Sequence, residues 1–157
     1  MVISLLTGHS AKEGNMKKLI LPLGILILFP FIIRAQEVGS LKIKIDGFKN
    51  DNGCVRVALA NSPENYSAHK DVFRGASVGI TGGQAVCVFD DIPYGEYAVK
   101  VFHDENDNGD LDTNFLGIPS EDYGFSNNAS GTFGPPGWPA ARFEFKSVTD
   151  SISITVD

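Results

Sequence analysis

The chain has 157 residues, about the length of one domain. Its 13 basic and 19 acidic residues give a net charge of -6, which argues against a nucleic-acid binder because neutralising phosphates requires clustered Lys and Arg. A hydrophobic content of 43% excludes a disordered polyelectrolyte, and the 17 Gly and 11 Phe favour strands and turns over helices.

The first 35 residues have the features of a secretory signal peptide. Lys17 and Lys18 precede an apolar run over 19–33, and Ala35 supplies a small residue for cleavage. At about 1.5 Å per residue this run falls short of a bilayer core of about 30 Å. We therefore divide the chain into an upstream extension plus signal peptide (1–35, with Met16 as initiator) and a mature domain (36–157). An uncleaved anchor is the alternative.

Alternating apolar residues predict two strands at the start of the mature domain. They span 39–48 and 54–60, and the turn-forming residues at 50–53 predict a β-hairpin between them. The residues expected on one face of each strand are Leu41, Ile43 and Ile45 in the first, and Val55, Val57 and Leu59 in the second.

A short helix and five further strands follow. Ser62 is a predicted N-cap with Pro63 at the first helical position, and the helix ends near residue 68. Seven closely spaced strands predict an all-β domain: a single transthyretin-like or Ig-like β-sandwich. A long loop over 103–140 separates the last two strands from the others. A loop of this length is usually functional or disordered, and its aromatic residues favour an ordered functional loop. The five further strands are predicted over 72–80, 84–89, 96–103, 142–145 and 151–156.

The beginning of that loop resembles half of a calcium-binding loop. Residues 104–112 read DENDNGDLD and match the pattern D-x-[DN]-x-[DN]-G. Ca²⁺ takes six to eight oxygens, and side-chain oxygens two residues apart can converge on one ion where a glycine permits a sharp turn. The predicted ligands are Asp104, Asn106, Asn108, the Asp110 backbone carbonyl and Asp112.

The second half of the calcium pattern is incomplete. An EF-hand has a bidentate Glu at its twelfth position, where this chain has Phe115, and the nearest spare carboxylates are Glu121 and Asp122. This departure predicts weak affinity for one Ca²⁺. The alternative is a solvated acidic turn, because Asp-Asn-Gly runs favour turns on conformational grounds alone.

The two cysteines, Cys54 and Cys87, are a candidate disulfide. Export implies an oxidising compartment, and each cysteine lies in an alternating apolar stretch, as paired core strands would require. A reactive or metal-binding pair is the alternative.

Other residues around the long loop are candidate ligand-binding groups. His103 could orient a carboxylate or bind zinc, or it could simply end a strand. The remaining candidates are Tyr123, Phe125, Asn127, Asn128 and Trp138. They could form an aromatic and polar platform for a sugar, or they could form a small core within the loop itself.

Four segments together resemble the domain-of-unknown-function family 2141, a family of exported bacterial proteins. They are VRVALANSPE (55–64), FDDIPYGEYAVKVFHDENDNGDLDTN (89–114), GIPSEDYGFSNN (117–128) and FGPP (133–136). The resemblance implies one β-sandwich of the transthyretin-like or carboxypeptidase-regulatory-like kind. It also implies that a cysteine pair at these strand positions recurs, and it implies no activity.

These patterns predict an exported, non-enzymatic module in the periplasm or at the cell surface. Its role would be binding or envelope structure, with a calcium-stabilised loop, no nucleic acid and no membrane span after cleavage. The partner would be an envelope or extracellular ligand, such as a carbohydrate or a protein. One alternative is a transthyretin-like carrier of a small ligand or carbohydrate. The other is a metal-dependent envelope hydrolase, for which His103 would be the available base.

Overall fold

The computed structural model of the protein describes residues 36–68 and 71–157. The signal peptide predicted for 1–35 lies outside these residues. Within them, no helix has both the length and the apolar character needed to cross a membrane.

The described chain is mostly β-structure, which confirms the predicted all-β class. It has eight strands where seven were predicted, and the additional strand is a three-residue segment inside the long loop. The strands are β1 (Val38–Asp46), β2 (Cys54–Ala60), β3 (Arg74–Gly79), β4 (Gln84–Pro93), β5 (Gly95–Asp104), β6 (Tyr123–Phe125), β7 (Phe143–Phe145) and β8 (Thr149–Thr155). The helices are α1 (Pro63–Ser67) and α2 (Trp138–Ala141), and a 3-10 turn spans Ser126–Asn128.

The strands form two sheets. In the three-stranded sheet β1 lies between β4, which is antiparallel to it, and β8, which is parallel. In the five-stranded sheet the order is β3-β2-β5-β6, and β7 also pairs with β5. The short connection at residue 94 carries the chain from β4 in one sheet to β5 in the other.

The predicted hairpin between the first two strands is wrong. Both edges of β1 are occupied by β4 and β8, and both edges of β2 are occupied by β3 and β5. The turn-forming residues at 47–53 therefore carry the chain between sheets. Local turn chemistry predicts a change of direction, but the partner of each strand is decided by packing across the whole domain.

The main core lies between the inner faces of the two sheets. Leu41 and Ile43 of β1 and Val55 and Leu59 of β2 are fully buried, as their alternation predicts. Burying a side chain of this size contributes about 1.5–3 kcal/mol relative to leaving it exposed. The core-facing set continues with Ile45, Val57, Val99, Val101 and Phe145.

A second, smaller core covers one end of the outer face of the five-stranded sheet. There Ala60 and Ala98 pack beneath Tyr66 of α1 and Ala141 of α2. Helix α1 begins as predicted, with the Ser62 hydroxyl accepting a hydrogen bond from the Asn65 amide at 3.2 Å and Pro63 at the start of the helix.

The predicted Cys54–Cys87 disulfide is not formed: both cysteines are free, buried thiols. Cys87 belongs to the main core, whereas Cys54 precedes the core-facing Val55 by one residue. Because successive side chains on a strand point to opposite faces, Cys54 lies on the outer face of its sheet. The five-stranded sheet, to which β2 belongs, therefore lies between the two sulfur atoms.

Candidate functional site

The outer face of the five-stranded sheet brings together charged and polar residues from four strands. Cys54 and Asp104 stand opposite each other where the calcium-like loop leaves β5. Moving along the sheet, the next cross-strand row is Ser77, Arg56, Phe102 and Tyr123. The row after it is Gly75, Ala58, Lys100 and Phe125.

Asp104 anchors the loop that follows it. Its side chain is fully buried, and its Oδ1 accepts a hydrogen bond from the Asn108 amide at 2.9 Å. Its Oδ2 accepts from the Gly109 amide at 3.0 Å and from Nε of Arg56 at 2.8 Å. A carboxylate offers about four lone-pair positions, so three are occupied here and Oδ1 retains one.

The other predicted side-chain ligands lie together around Asp112. Asn106 donates to Oδ2 of Asp112 at 2.7 Å, and Asn108 donates to Oδ1 at 3.1 Å. The amide oxygen of Asn106 accepts from the Asn108 backbone at 3.0 Å, and that of Asn108 accepts from the Asp110 backbone at 2.8 Å. The structure thus brings the four predicted side-chain ligands together, and the predicted role of the Asp110 backbone carbonyl stays a prediction.

Two positive φ angles produce the curl of this loop. Gly109 has φ +86°, which a residue without Cβ adopts at no steric cost. Asp107 has φ +57°, in the left-handed region that Asp and Asn tolerate better than other side chains do. The glycine of the sequence pattern therefore has the conformational role that the pattern predicts.

Glu121 holds the two ends of the loop together, a role that the sequence did not predict. Its Oε1 accepts from the Glu105 amide and its Oε2 accepts from the Asp112 amide, each at 2.9 Å. It is only 7% exposed. Its neighbour Asp122 forms an ion pair with Lys49. Neither spare carboxylate therefore completes the ligand set in this structure.

Cys54, Asp104 and Asp107 form a cluster that sequence reasoning missed. One potential ligand atom from each lies within 4.8 Å of the others. Desolvation raises the pKa of the Cys54 thiol, whose sulfur also accepts a hydrogen bond from Ser77 Oγ at 3.0 Å. A protonated thiol is a poor ligand for a hard cation such as Ca²⁺. Alternation along β2 and β5 places Cys54 and Asp104 on the faces opposite to Val55 and His103, but only the pairing of the two strands brings them together.

His103 lies on the opposite side of the sheet from Asp104. Its ring is fully buried, with Nε2 at 2.7 Å from the Asn52 carbonyl and its centroid at 5.2 Å from that of Phe48. The other nitrogen, Nδ1, lies 3.8 Å from a carboxylate oxygen of Glu105. Because adjacent strand residues point to opposite faces, His103 does not face the predicted calcium ligands.

The residues predicted as a sugar platform are divided between different roles. Tyr123, Phe125 and Asn128 line one cavity of about 440 Å³. Asn127 instead donates to the carbonyls of residues 140 and 142, at 3.1 and 3.0 Å. Trp138 packs edge-on against Tyr66, with ring centroids 5.9 Å apart. Phe125 belongs to the second core and Trp138 packs against it, but that core also includes Ala60 and Ala98 of the sheet and is not a core of the loop alone.

Comparison with known proteins places this architecture in a family. No curated protein and no solved structure matches the chain. The sequence model of a family described as "Uncharacterized protein conserved in bacteria (DUF2141)" matches residues 43–153. This range begins in β1 and ends in β8, so it contains both sheets and the 104–112 loop. The chain therefore belongs to the DUF2141 family of bacterial proteins.

Proposed function

We propose that the protein is an exported, non-enzymatic module of the cell envelope or surface whose 104–112 loop binds one Ca²⁺. The observation that carries this proposal is the convergence of the Asn106, Asn108 and Asp112 side chains on the turn that Asp104 anchors. In this proposal the fold is a transthyretin-like or Ig-like sandwich that holds the long loop as a binding surface.

Calcium would relieve a local excess of negative charge. Asp107, Asp110 and Asp112 lie within six residues, and the sequence has no Lys or Arg between Lys100 and Arg142. Two side-chain amides now donate to Asp112. An ion at this position would replace those donors, and the amide oxygens would turn toward it, because Ca²⁺ accepts only oxygen ligands here.

Three features support weak affinity for the ion. Phe115, at the twelfth position, is 94% exposed and offers no side-chain oxygen. Both oxygens of Glu121 already accept backbone amides, and Arg56 competes for Asp104. We therefore expect a dissociation constant of about 10⁻⁴–10⁻³ M, the range of extracellular calcium modules.

The turn that follows the loop supports a binding role. Asn114 Oδ1 accepts from the backbone amides of Leu116 and Ile118, at 2.9 and 3.2 Å, and a bridge joins Thr113 to Pro119. This ordered turn exposes Phe115, Leu116 and Ile118, and clustered exposed apolar side chains typically mark interaction sites. In our proposal they contact an envelope protein or carbohydrate.

Calcium titration of two matched variants tests the proposal. Asp112→Asn and Asp110→Asn remove the same charge from the same loop, but only Asp112 is a proposed side-chain ligand. At ten times the dissociation constant, calcium should stabilise the wild type by about 1.4 kcal/mol. We expect calcium to raise the melting temperature of Asp110→Asn as it raises that of the wild type, and to leave that of Asp112→Asn unchanged.

Magnesium is the control for ion type, since it demands stricter octahedral geometry and should stabilise the protein less than calcium does. An unchanged wild-type melting temperature in 10 mM calcium would show that the loop is only an acidic turn.

A further inference from the structure

An open groove of about 720 Å³ lies on the outer face of the five-stranded sheet. Its floor consists of the two cross-strand rows that contain Arg56 and Lys100. One side is shallow because Gly75 and Ala58 have little or no side chain, and the other is raised by Phe102 and Phe125. The calcium-like loop, through residues 109–111, forms one end of the groove.

Lys100 is a half-buried ammonium group without a counter-ion among the described residues. Its Nζ donates to the backbone carbonyls of Tyr66 and Ala68, at 2.6 and 3.0 Å, and lies 5.3 Å from the centroid of the Tyr66 ring. None of the ion pairs of the described chain includes it. An ammonium has three donors, so one remains for a group in the groove.

Desolvation lowers the pKa of Lys100, the direction expected for a cation without a neighbouring anion. A bound anion would remove this penalty, because burial of a charge is costly unless the charge is paired.

Arg56 gives the groove a second cation. The guanidinium bonds Asp104 through Nε, so the donors on its two Nη atoms are not used in that hydrogen bond. The negative charge of Asp104 offsets the positive charge of Arg56. Asp110 lies at the loop end of the groove, where a second negative charge on a ligand would be repelled. The groove therefore suits one negative charge, placed near Lys100.

We propose that this groove binds a small amphiphilic molecule that carries a single carboxylate on an apolar body. The carboxylate contacts Lys100, and the positive charge of Arg56 attracts it from the loop end of the groove. The apolar part lies against Phe102, Phe125, Val72 and Leu111, which line the groove. Lys100, which binds the carboxylate, lies outside the calcium loop and contacts none of the proposed calcium ligands.

Decanoate is a suitable probe, with decanol as its uncharged counterpart. In titration calorimetry we expect decanoate to bind the wild-type protein, and Lys100→Met to weaken that binding at least tenfold. Lys44→Met, on the exposed face of β1, removes the same charge elsewhere and should leave binding unchanged. Decanol should bind more weakly than decanoate and should not distinguish Lys100→Met from the wild type.

Chemical-shift mapping on the wild-type protein keeps the proposal testable if Lys100→Met does not fold. Decanoate should shift the amide resonances of β2, β3 and β5 around Ala58, Gly75 and Lys100. The proposal is overturned if millimolar decanoate does not bind, if its shifts lie elsewhere, or if folded Lys100→Met binds it as tightly as the wild type does.

Discussion

The two faces of the five-stranded sheet are built from the same strands in the same register, yet they differ in chemistry. On the inner face, Val57 and Leu59 of β2 stand opposite the buried Val101 and Val99 of β5. On the outer face, one residue away along each strand, Arg56 and Lys100 lie among aromatic and small side chains. The inner face forms the core, whereas the outer face carries the charged groups that can contact a ligand.

This difference shows that the face to which a strand residue points carries more functional information than the amino-acid composition of the strand does. Cys54 and His103 both lie in apolar, alternating sequence, and the predictions for both rest on the residues beside them in the sequence. Their roles in the structure follow from the face to which they point: Cys54 joins the acidic loop, and His103 packs against Phe48 in the interior.

The largest effect should come from truncating an inner-face residue. Leu59→Ala leaves a cavity in the main core and should lower the free energy of unfolding by about 2–5 kcal/mol in urea denaturation. Ser77→Ala, on the outer face of the neighbouring strand, loses one hydroxyl–thiol hydrogen bond and should change it by less than about 0.5 kcal/mol. Equal losses in the two variants would contradict the assignment of faces.

A smaller effect should distinguish the two cysteines. Cys87→Ser places a hydroxyl in the apolar core and should cost about 1–3 kcal/mol, whereas Cys54→Ser keeps a polar group beside Ser77 and should cost less. Both thiols should react with Ellman's reagent after denaturation without reductant. A titre of zero in the denatured, non-reduced protein would instead show that the two cysteines form a disulfide.

The smallest effect should be a difference in alkaline stability. Burial raises the pKa of the Cys87 thiol above its ordinary 9.0, so the neutral thiol stabilises the fold below that pH. This contribution is lost as the pH rises through the raised pKa.

The free energy of unfolding should therefore fall less steeply between pH 8 and 10.5 in Cys87→Ala than in the wild type. Cys54→Ala should flatten the curve less, because the hydrogen bond from Ser77 opposes desolvation there. Parallel curves for all three proteins would rule out a contribution from either thiol.

Much of the fold could be predicted because it depends on local patterns. Period-two alternation identified the core-facing residues of β1 and β2, and Ser62 with Pro63 identified the start of α1. Strand pairing could not be predicted in the same way, since the 47–53 turn is compatible with either a hairpin or a crossing between sheets. The three-residue β6 is too short for alternation to reveal.

The candidate site was predictable where its geometry is local. The Asp-Asn-Gly spacing predicted the curl of the loop, and the structure brings Asp104, Asn106, Asn108 and Asp112 together. Arg56 and Glu121 contribute through long-range contacts. Arg56 is 48 residues from its acceptor Asp104, and Glu121 is 16 residues from the donor amide of Glu105. No spacing rule within the loop contains that information.

The ion pair between Arg56 and Asp104 connects the two proposed binding sites. A cation bound to Asp104 would weaken the hydrogen bond between Asp104 and Arg56. The positive charge of the guanidinium would then attract an anion in the groove more strongly. Thermodynamic linkage makes this effect mutual: an anion that engages Arg56 must raise the affinity of Asp104 for the cation by the same factor. If both proposed sites exist, this single hydrogen bond of 2.8 Å makes the affinity of the groove for a carboxylate depend on the calcium concentration.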